Sequence, residues 1–402
     1  AVPRWSLADD RPQSKKSVAA IATIYTKNSH TDVLIGKILE GWEQTGGPGP
    51  NLRLASMYVD QFPDGDLAGR MSMKHGFPIF DSIEQAITLG QDRVAVDGVI
   101  SIGEHGDYPW NDLGQHLYPR RRFFQEITDT LEKFQQAVPV FNDKHPGPAW
   151  ADAKWMYDRA VELKLPFMAG SSLPVSFRKP DFSLPMNSQL EGCLAIGYSG
   201  LDIYGFHTLD YLQSIIERRT AATQGVRWVQ CLPGSRLKKL IADEVIRPDL
   251  LNLILKVTPT SKQKLLDANS KEFNVFLIQY ADGLLAPVLM LPGFARGISV
   301  VVKAKGSEPI GGLAEERGEP FPHFAYLLMG IEHMVQTGKP AYPVERTLLA
   351  AGMLDRLLTS RSQGGAKLQT PELAIDYKAV DYAHAPHIDL LKAKADAKSK
   401  SN

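Results

Sequence analysis

From Ser17 to about Gly170 the chain alternates short runs of apolar and β-branched residues with stretches whose apolar positions recur every three or four residues. The runs Ser17–Thr23, Leu52–Val59, Val96–Ile102, Val138–Phe141 and Pro166–Ala169 predict buried strands, and Ser29–Leu39, Ser82–Leu89, Arg120–Phe134 and Ala149–Leu163 predict helices. A strand that reaches its parallel neighbour through a helix builds a doubly wound sheet. This half therefore predicts a Rossmann-like α/β domain with its ligand crevice at the carboxyl ends of the strands.

After Gly170 the texture changes. Leu190–Gly197, Val226–Leu232, Asn274–Tyr280, Leu284–Leu291 and Ile298–Lys303 read as strands, with a hairpin turn at Ala281-Asp282-Gly283 and helices at Thr208–Arg218 and Asp249–Leu255. Phe324–Thr337 and Val344–Ser360 form a late helical pair joined by Gly338-Lys339-Pro340. The pattern predicts an α+β domain on an open, mostly antiparallel sheet. The expected organisation is an arm over 1–17, a Rossmann-like dinucleotide-binding domain over 18–169 and a substrate and oligomerisation domain over 170–361, whose late helices pack back on the first. A tail over 362–402 ends in the polar run Lys392–Asn402. An open sheet face carrying Phe276, Ile278 and Tyr280 needs cover, which predicts a homodimer or homotetramer made face to face.

At 402 residues the chain exceeds what one hydrophobic core usually serves, in keeping with two domains. Lys plus Arg and Asp plus Glu balance at 45 each, so no general electrostatic grip on nucleic acid or an anionic membrane is expected. No apolar run approaches the ~20 residues of a membrane helix. Cys193 and Cys231 lie in apolar, strand-like runs and read as buried thiols, not as a disulfide framework or a metal cluster. The opening Ala1-Val2-Pro3 reads as a processed or edited terminus. The compartment is then cytoplasmic, or periplasmic in a bacterium if a signal peptide was removed before Ala1.

Between Val18 and His30 the chain reads VAAIATIYTKNSH, a strand running into what should be a phosphate-binding turn. That turn normally needs three glycines, so that the backbone bends tightly and the helix N-terminus meets the pyrophosphate. Ala22, Ile24 and Lys27 stand in their places. With this entry, several segments together resemble the Gfo/Idh/MocA family. The spacing Ala22, Ile24, Lys27, His30 follows its G-x-G-x-x-G-x-x-H entry, and Asp60, ending SMYVD, matches its ribose-contacting acid. His75–Ser82, Val96–Val99, Leu163–Gly170 and Thr337-Gly338-Lys339-Pro340 are similar to further family segments, and Asn142-Asp143-Lys144-His145 occupies the place of its E-K-P motif.

The resemblance implies a sugar or polyol dehydrogenase with NAD or NADP, held around Ala22, Thr23, Ile24, His30, Asp60, His105 and Lys144. Asp60 favours NAD, because a carboxylate repels the 2′-phosphate of NADP. The resemblance also assigns Lys144 to the substrate hydroxyl or its proton, and Asp143 and His145 are placed to tune that amine. It reads Gly200–His207 as a D-x-x-x-H element with one extra residue. His207, directly before the predicted helix, is then a general base, and Asp202 is displaced by one position. The ordinary alternatives are a surface lysine, a packing histidine and a turn-forming Asp60.

The loop Ile102–Trp110 is longer than the family's. Glu104, His105, Asp107 and Tyr108, with His145, can bind the hydroxyls of a sugar, and Trp110 suits its apolar face. The cluster has no diagnostic ligand spacing, so metal binding is not expected. Arg120-Arg121-Arg122 reads as a solvated helix start rather than an anion site. Two functions remain: an oxidoreductase acting on a secondary hydroxyl of a sugar, cyclitol or glycoside, or a protein that has lost its nucleotide. The second would be a carbohydrate-binding protein, or a cofactor-independent or metal-assisted lyase or isomerase using Glu104, His105, Lys144 and His207.

Overall fold

The computed structural model describes residues 15–221, 223–266 and 271–386. The arm before Lys15 and the run Lys392–Asn402 lie outside the described residues. In the first half β1 (Lys16–Ala22), α1 (His30–Glu40), β2 (Leu52–Val59), α2 (Ala68–His75), β3 (Ile79–Phe80), α3 (Ile83–Thr88), β4 (Gly98–Ile102), α4 (Arg120–Lys133), β5 (Val140–Asp143), α5 (Trp150–Glu162) and β6 (Phe167–Gly170) follow one another. The six strands form one parallel sheet in the order β3-β2-β1-β4-β5-β6. The order reverses beside β1, so the crevice of a doubly wound sheet opens where β1 and β4 end. This is the expected Rossmann-like half, with α2 and β3 added.

The second half continues with β7 (Phe177–Lys179), β8 (Leu190–Gly197), α6 (Ile203–Ile216), β9 (Val226–Pro233), α7 (Leu237–Ala242), α8 (Pro248–Val257), β10 (Asn274–Tyr280), β11 (Leu285–Met290), β12 (Ser299–Ala304), β13 (Ile310–Glu315), α9 (Pro322–Thr337), α10 (Val344–Ser362) and β14 (Leu368–Gln369). Its eight strands run β14-β9-β10-β11-β8-β12-β13-β7. Every pairing is antiparallel except β11 with β8. The Ala281-Asp282-Gly283 turn makes the expected hairpin of β10 and β11.

Two expectations fail here, each for a packing reason. The sheet face with Phe276, Ile278 and Tyr280 is not open: all three are fully buried in one core with α6 and α10, through residues such as Phe206, Leu212, Met353 and Leu357. The opposite face, with Val275, Leu277 and Leu289, is covered by Leu237 and Leu240 of α7 and Leu250 and Ile254 of α8. The argument for an oligomer from an uncovered face therefore falls. Nor does the chain leave the fold at Ser362. β14 pairs with β9, Leu373 is buried, and the Tyr377 hydroxyl donates to Glu217 at 2.7 Å. Cys193 and Cys231 are buried free thiols. Among the described residues no helix is long and apolar enough to cross a membrane.

The late helices bind the halves together. Phe324, Leu328 and Ile331 of α9 share a core with β1, β2 and α1, which is why α1 is buried almost all round. α10 packs on both α5 and α6.

Candidate functional site

The turn after β1 is folded without glycine. Ile24 is buried, and its carbonyl accepts from the Thr31 hydroxyl at 2.7 Å. α1 begins only at His30, capped by Ser29, whose hydroxyl oxygen accepts from the Asp32 amide at 3.3 Å. Asp32 returns the bond, its carboxylate accepting from the Asn28 amide at 2.9 Å. This reciprocal cap places a buried carboxylate at the helix N-terminus, where the helix dipole favours an anion.

The loop after β4 then closes over the crevice. The Thr23 hydroxyl donates to the Glu104 carbonyl at 2.5 Å. The Gln61 side chain pairs with both backbone polar groups of Asp107, each at 2.9 Å. Asp60, at the end of β2, accepts from the hydroxyls of Tyr58 and Tyr108 at 2.6 and 2.7 Å and from Arg122 at 2.6 Å. Gly106 has φ +101 and sits so close to Tyr108, Gln61 and Ile24 that a side chain there would collide.

These contacts test the dinucleotide seat directly. A pyrophosphate at the turn meets the Ile24 side chain in place of bare backbone and the Asp32 carboxylate in place of free helix donors. Asp60 already serves three donors of the protein itself. The residues present do not fit a dinucleotide laid across this turn.

Deeper in the crevice is a buried polar cluster. Lys144, directly after β5, has φ +69, in the left-handed region, and its amide bonds the Gly170 carbonyl at 3.0 Å. A non-glycine residue in this conformation costs roughly 1–3 kcal/mol and marks a held geometry. His105, also at φ +66, is a second such residue. The Lys144 Nζ donates to His207 Nε2 at 2.5 Å and lies 3.7 Å from Glu104. An ammonium only donates, so His207 keeps its proton on Nδ1, a buried atom with no partner. Glu104 is also clamped by Arg120 at 2.6 Å, and Arg120 Nη1 donates to His145 Nε2 at 3.1 Å while His145 Nδ1 donates to the Gly147 carbonyl at 2.6 Å. His30 Nδ1 donates to Asp143 at 2.6 Å, with the His105 ring 5.3 Å away. Asp202 accepts from the His116 amide at 2.9 Å and leaves its other oxygen without a partner.

Burial sets the charges. It lowers His207 and His145 well below the ordinary imidazole range, helped by the cations Lys144 and Arg120 respectively, so both are neutral. Burial alone would raise Glu104, but Lys144 and Arg120 hold it well below the usual carboxylate range. His105 is pushed down to about 4, by burial first and then by His30. Burial raises Asp202 and, from the loop after β13, Glu316. The arrangement thus offers neutral imidazoles, a fixed carboxylate and a lysine side by side, the groups of general acid and base catalysis. Among the described residues no group of His, Cys, Asp and Glu is arranged to hold a metal ion.

The same physics yields a stability prediction. His323 on α9 is buried, and burial, then Lys37 and His30, push it down to about 3. The unfolded chain takes up this proton below about pH 6.5 while the fold refuses it, so stability present above that pH is lost as pH falls, at ~1.4 kcal/mol per unit. In urea unfolding, His323→Gln should shrink the loss between about pH 7.5 and pH 5 by about 2 kcal/mol. An unchanged loss would contradict this burial of a neutral ring.

The predicted site residues fall into two groups. Glu104, His105, Lys144, His145 and His207 meet in the cluster, with Asp202 and His30 at its edges. Ala22, Thr23, Ile24, Asp60, Asp107 and Tyr108 line the closed crevice. His207 does not precede its helix but lies within it, because α6 starts at Ile203 right after Asp202. Asp143 and His145 serve His30 and Arg120, not Lys144. The arginine run is no solvated helix start: Arg120 is buried between Glu104 and His145, Arg121 pairs with Asp152, and Arg122 pairs with Asp60. Arg120 and Glu316 were missed as site residues. Only the place of Arg120, opening the helix after the β4 loop, could have signalled it.

No protein-family model matches the chain, and no curated protein matches it in sequence. Solved structures do share its fold. GenD2 from gentamicin A biosynthesis, in complex with NAD, is 11% identical with a TM-score of 0.57, over 89% of this chain and 97% of that one. Apo scyllo-inositol dehydrogenase from Lactobacillus casei is 9% identical with a TM-score of 0.56, over 89% and 98%. An inositol dehydrogenase homolog from Azotobacter vinelandii, complexed with NADH and myo-inositol, is 9% identical with a TM-score of 0.50, over 89% and 98%. At these identities the likeness establishes the fold.

Proposed function

We propose that the chain is an oxidoreductase acting on a secondary hydroxyl of a sugar, cyclitol or glycoside with NAD or NADP, and that Lys144 and His207 handle the hydroxyl proton. The observation that carries this reading is the 2.5 Å contact between Lys144 and His207, which brings the end of β5 against α6 beside the switch point of the sheet. The fold shared with GenD2 from gentamicin A biosynthesis, in complex with NAD, and with an inositol dehydrogenase homolog complexed with NADH and myo-inositol supports it. A hydroxyl entering between the two side chains meets a neutral imidazole as acceptor and an ammonium that stabilises the developing alkoxide. Glu104, itself clamped by Arg120, holds that ammonium in place. With the turn occupied by the Ile24 side chain and the Asp32 carboxylate, dinucleotide binding should be weak.

The closed turn supports a second reading, in which the same groups act without nucleotide as a lyase or isomerase on a carbohydrate, or simply bind one. Calorimetry with NAD and NADP separates the two. The first reading expects weak binding by the wild type and tighter binding by Ile24→Gly, which frees the backbone at the pyrophosphate position. No binding of either dinucleotide by either protein, together with turnover in their absence, would reject the oxidoreductase and leave the second reading.

A further inference from the structure

His30 is unlike the other histidines of the cluster. His145 has both ring nitrogens bonded, His207 gives Nε2 to Lys144, and the half-buried His105 has a buried Nδ1 with no partner among the described residues. The His30 side chain is 15% exposed, its Nδ1 is fixed on the fully buried Asp143 at 2.6 Å, and its Nε2 makes no hydrogen bond among the described residues. Asp143 is held in turn by the β5–β6 pairing, and its second carboxylate oxygen is buried without a partner. A carboxylate on one imidazole nitrogen fixes the tautomer that leaves the other nitrogen with a lone pair, and it stabilises the imidazolium formed when that lone pair takes a proton. Phe324 packs edge to face against the ring, with centroids 4.9 Å apart.

We infer that His30, oriented by Asp143, is a second proton acceptor of the site beside Lys144 and His207. The inference rests on the proposed carbohydrate-active reading. His30 Nε2 takes a proton from a substrate O–H or C–H, and the bonding electron pair stays on the substrate atom. Asp143 receives no proton and is a positioning residue. Because Asp143 and Lys144 are consecutive, the dyad and the lysine are supplied by one strand end. Together they let the site remove one proton and return another, which is what the lyase or isomerase reading requires. The charged or titratable groups that act on His30 are Asp143, Glu104, His105, His207, Glu316 and His323.

The test has two arms. In the first, the wild type is treated with diethyl pyrocarbonate and modified histidines are mapped by mass spectrometry, while nitrogen-15 NMR reads the His30 tautomer. His30 should be modified at Nε2 before the buried His145 and His207, and it should carry its proton on Nδ1. Asp143→Asn should scramble the tautomer. A spared His30, or a tautomer indifferent to Asp143→Asn, would overturn the dyad whatever the enzyme's substrate. In the second arm, turnover of a panel of cyclitols and methyl glycosides is measured. His30→Ala should lose roughly 10²- to 10³-fold in kcat, partly restored by added imidazole, with Asp143→Asn lowering kcat more than it changes KM. Full turnover by His30→Ala beside an inactive Lys144→Ala would reject the dyad and leave Lys144 and His207 standing. If the wild type turns over nothing in the panel, the proposed function fails, and the first arm still decides the dyad.

Discussion

Lys144→Ala and His207→Ala should each lower turnover about 10²- to 10⁴-fold while leaving the protein folded. Neither side chain anchors a core: Lys144 touches His207 and Glu104, and His207 keeps one nitrogen without a partner. On the proposed function, truncating Lys144 removes the cation that would meet the developing alkoxide, but Glu104 keeps its bond to Arg120, so no buried carboxylate is left alone. Truncating His207 removes the neutral acceptor, and Lys144 keeps Glu104. His207→Gln restores a hydrogen-bond acceptor that is no base and should stay inactive, which separates proton transfer from mere contact. Circular dichroism melts beside progress curves check the pair of claims. A variant that melts far below the wild type would show a structural role instead.

The largest stability effect is expected at Arg346. This residue of α10 is buried and bonds both oxygens of Glu217, just past the end of α6, at 2.7–3.1 Å, while its guanidinium lies 4.5 Å from the Tyr342 ring. Glu217 also accepts from Tyr377, on the segment after β14. One ion pair thus ties α6, α10 and the end of the described chain. Arg346→Ala leaves the Glu217 carboxylate buried without its cation and should cost about 3–5 kcal/mol in urea unfolding. Replacing both partners with apolar residues of similar volume, Arg346→Met with Glu217→Leu, should cost much less, because no charge is stranded. Equal losses in the single and double variants would show that packing, not the stranded charge, dominates.

The fold was legible because its signals are local. Alternating strand and helix patterns placed β1, β2, β4, β5 and β6 to within a residue or two, and the Asp-Gly turn fixed the β10–β11 hairpin. What the pattern could not show was coverage. Phe276, Ile278 and Tyr280 alternate as on any half-buried strand, and nothing local says that α6 and α10, far apart in sequence, cover that face while α7 and α8 cover the other. Arg120 failed for the same reason, since three arginines opening a helix read as solvated until the β4 loop and His145 close over the first. Lys144 and His207 were named from motif positions. That Lys144 meets His207, rather than Asp143 beside it in sequence, depends on the left-handed backbone at Lys144, which no sequence pattern reveals.

The central claim is that Lys144 and His207 do chemistry on a polyol hydroxyl. Its most direct test is proton NMR of a cyclitol and methyl glycoside panel incubated with stoichiometric protein, with and without NAD, comparing wild type, Lys144→Ala and His207→Ala. The wild type should convert at least one compound that neither variant converts on the same timescale. Equal conversion by all three proteins, or none by the wild type under either condition, would contradict the account.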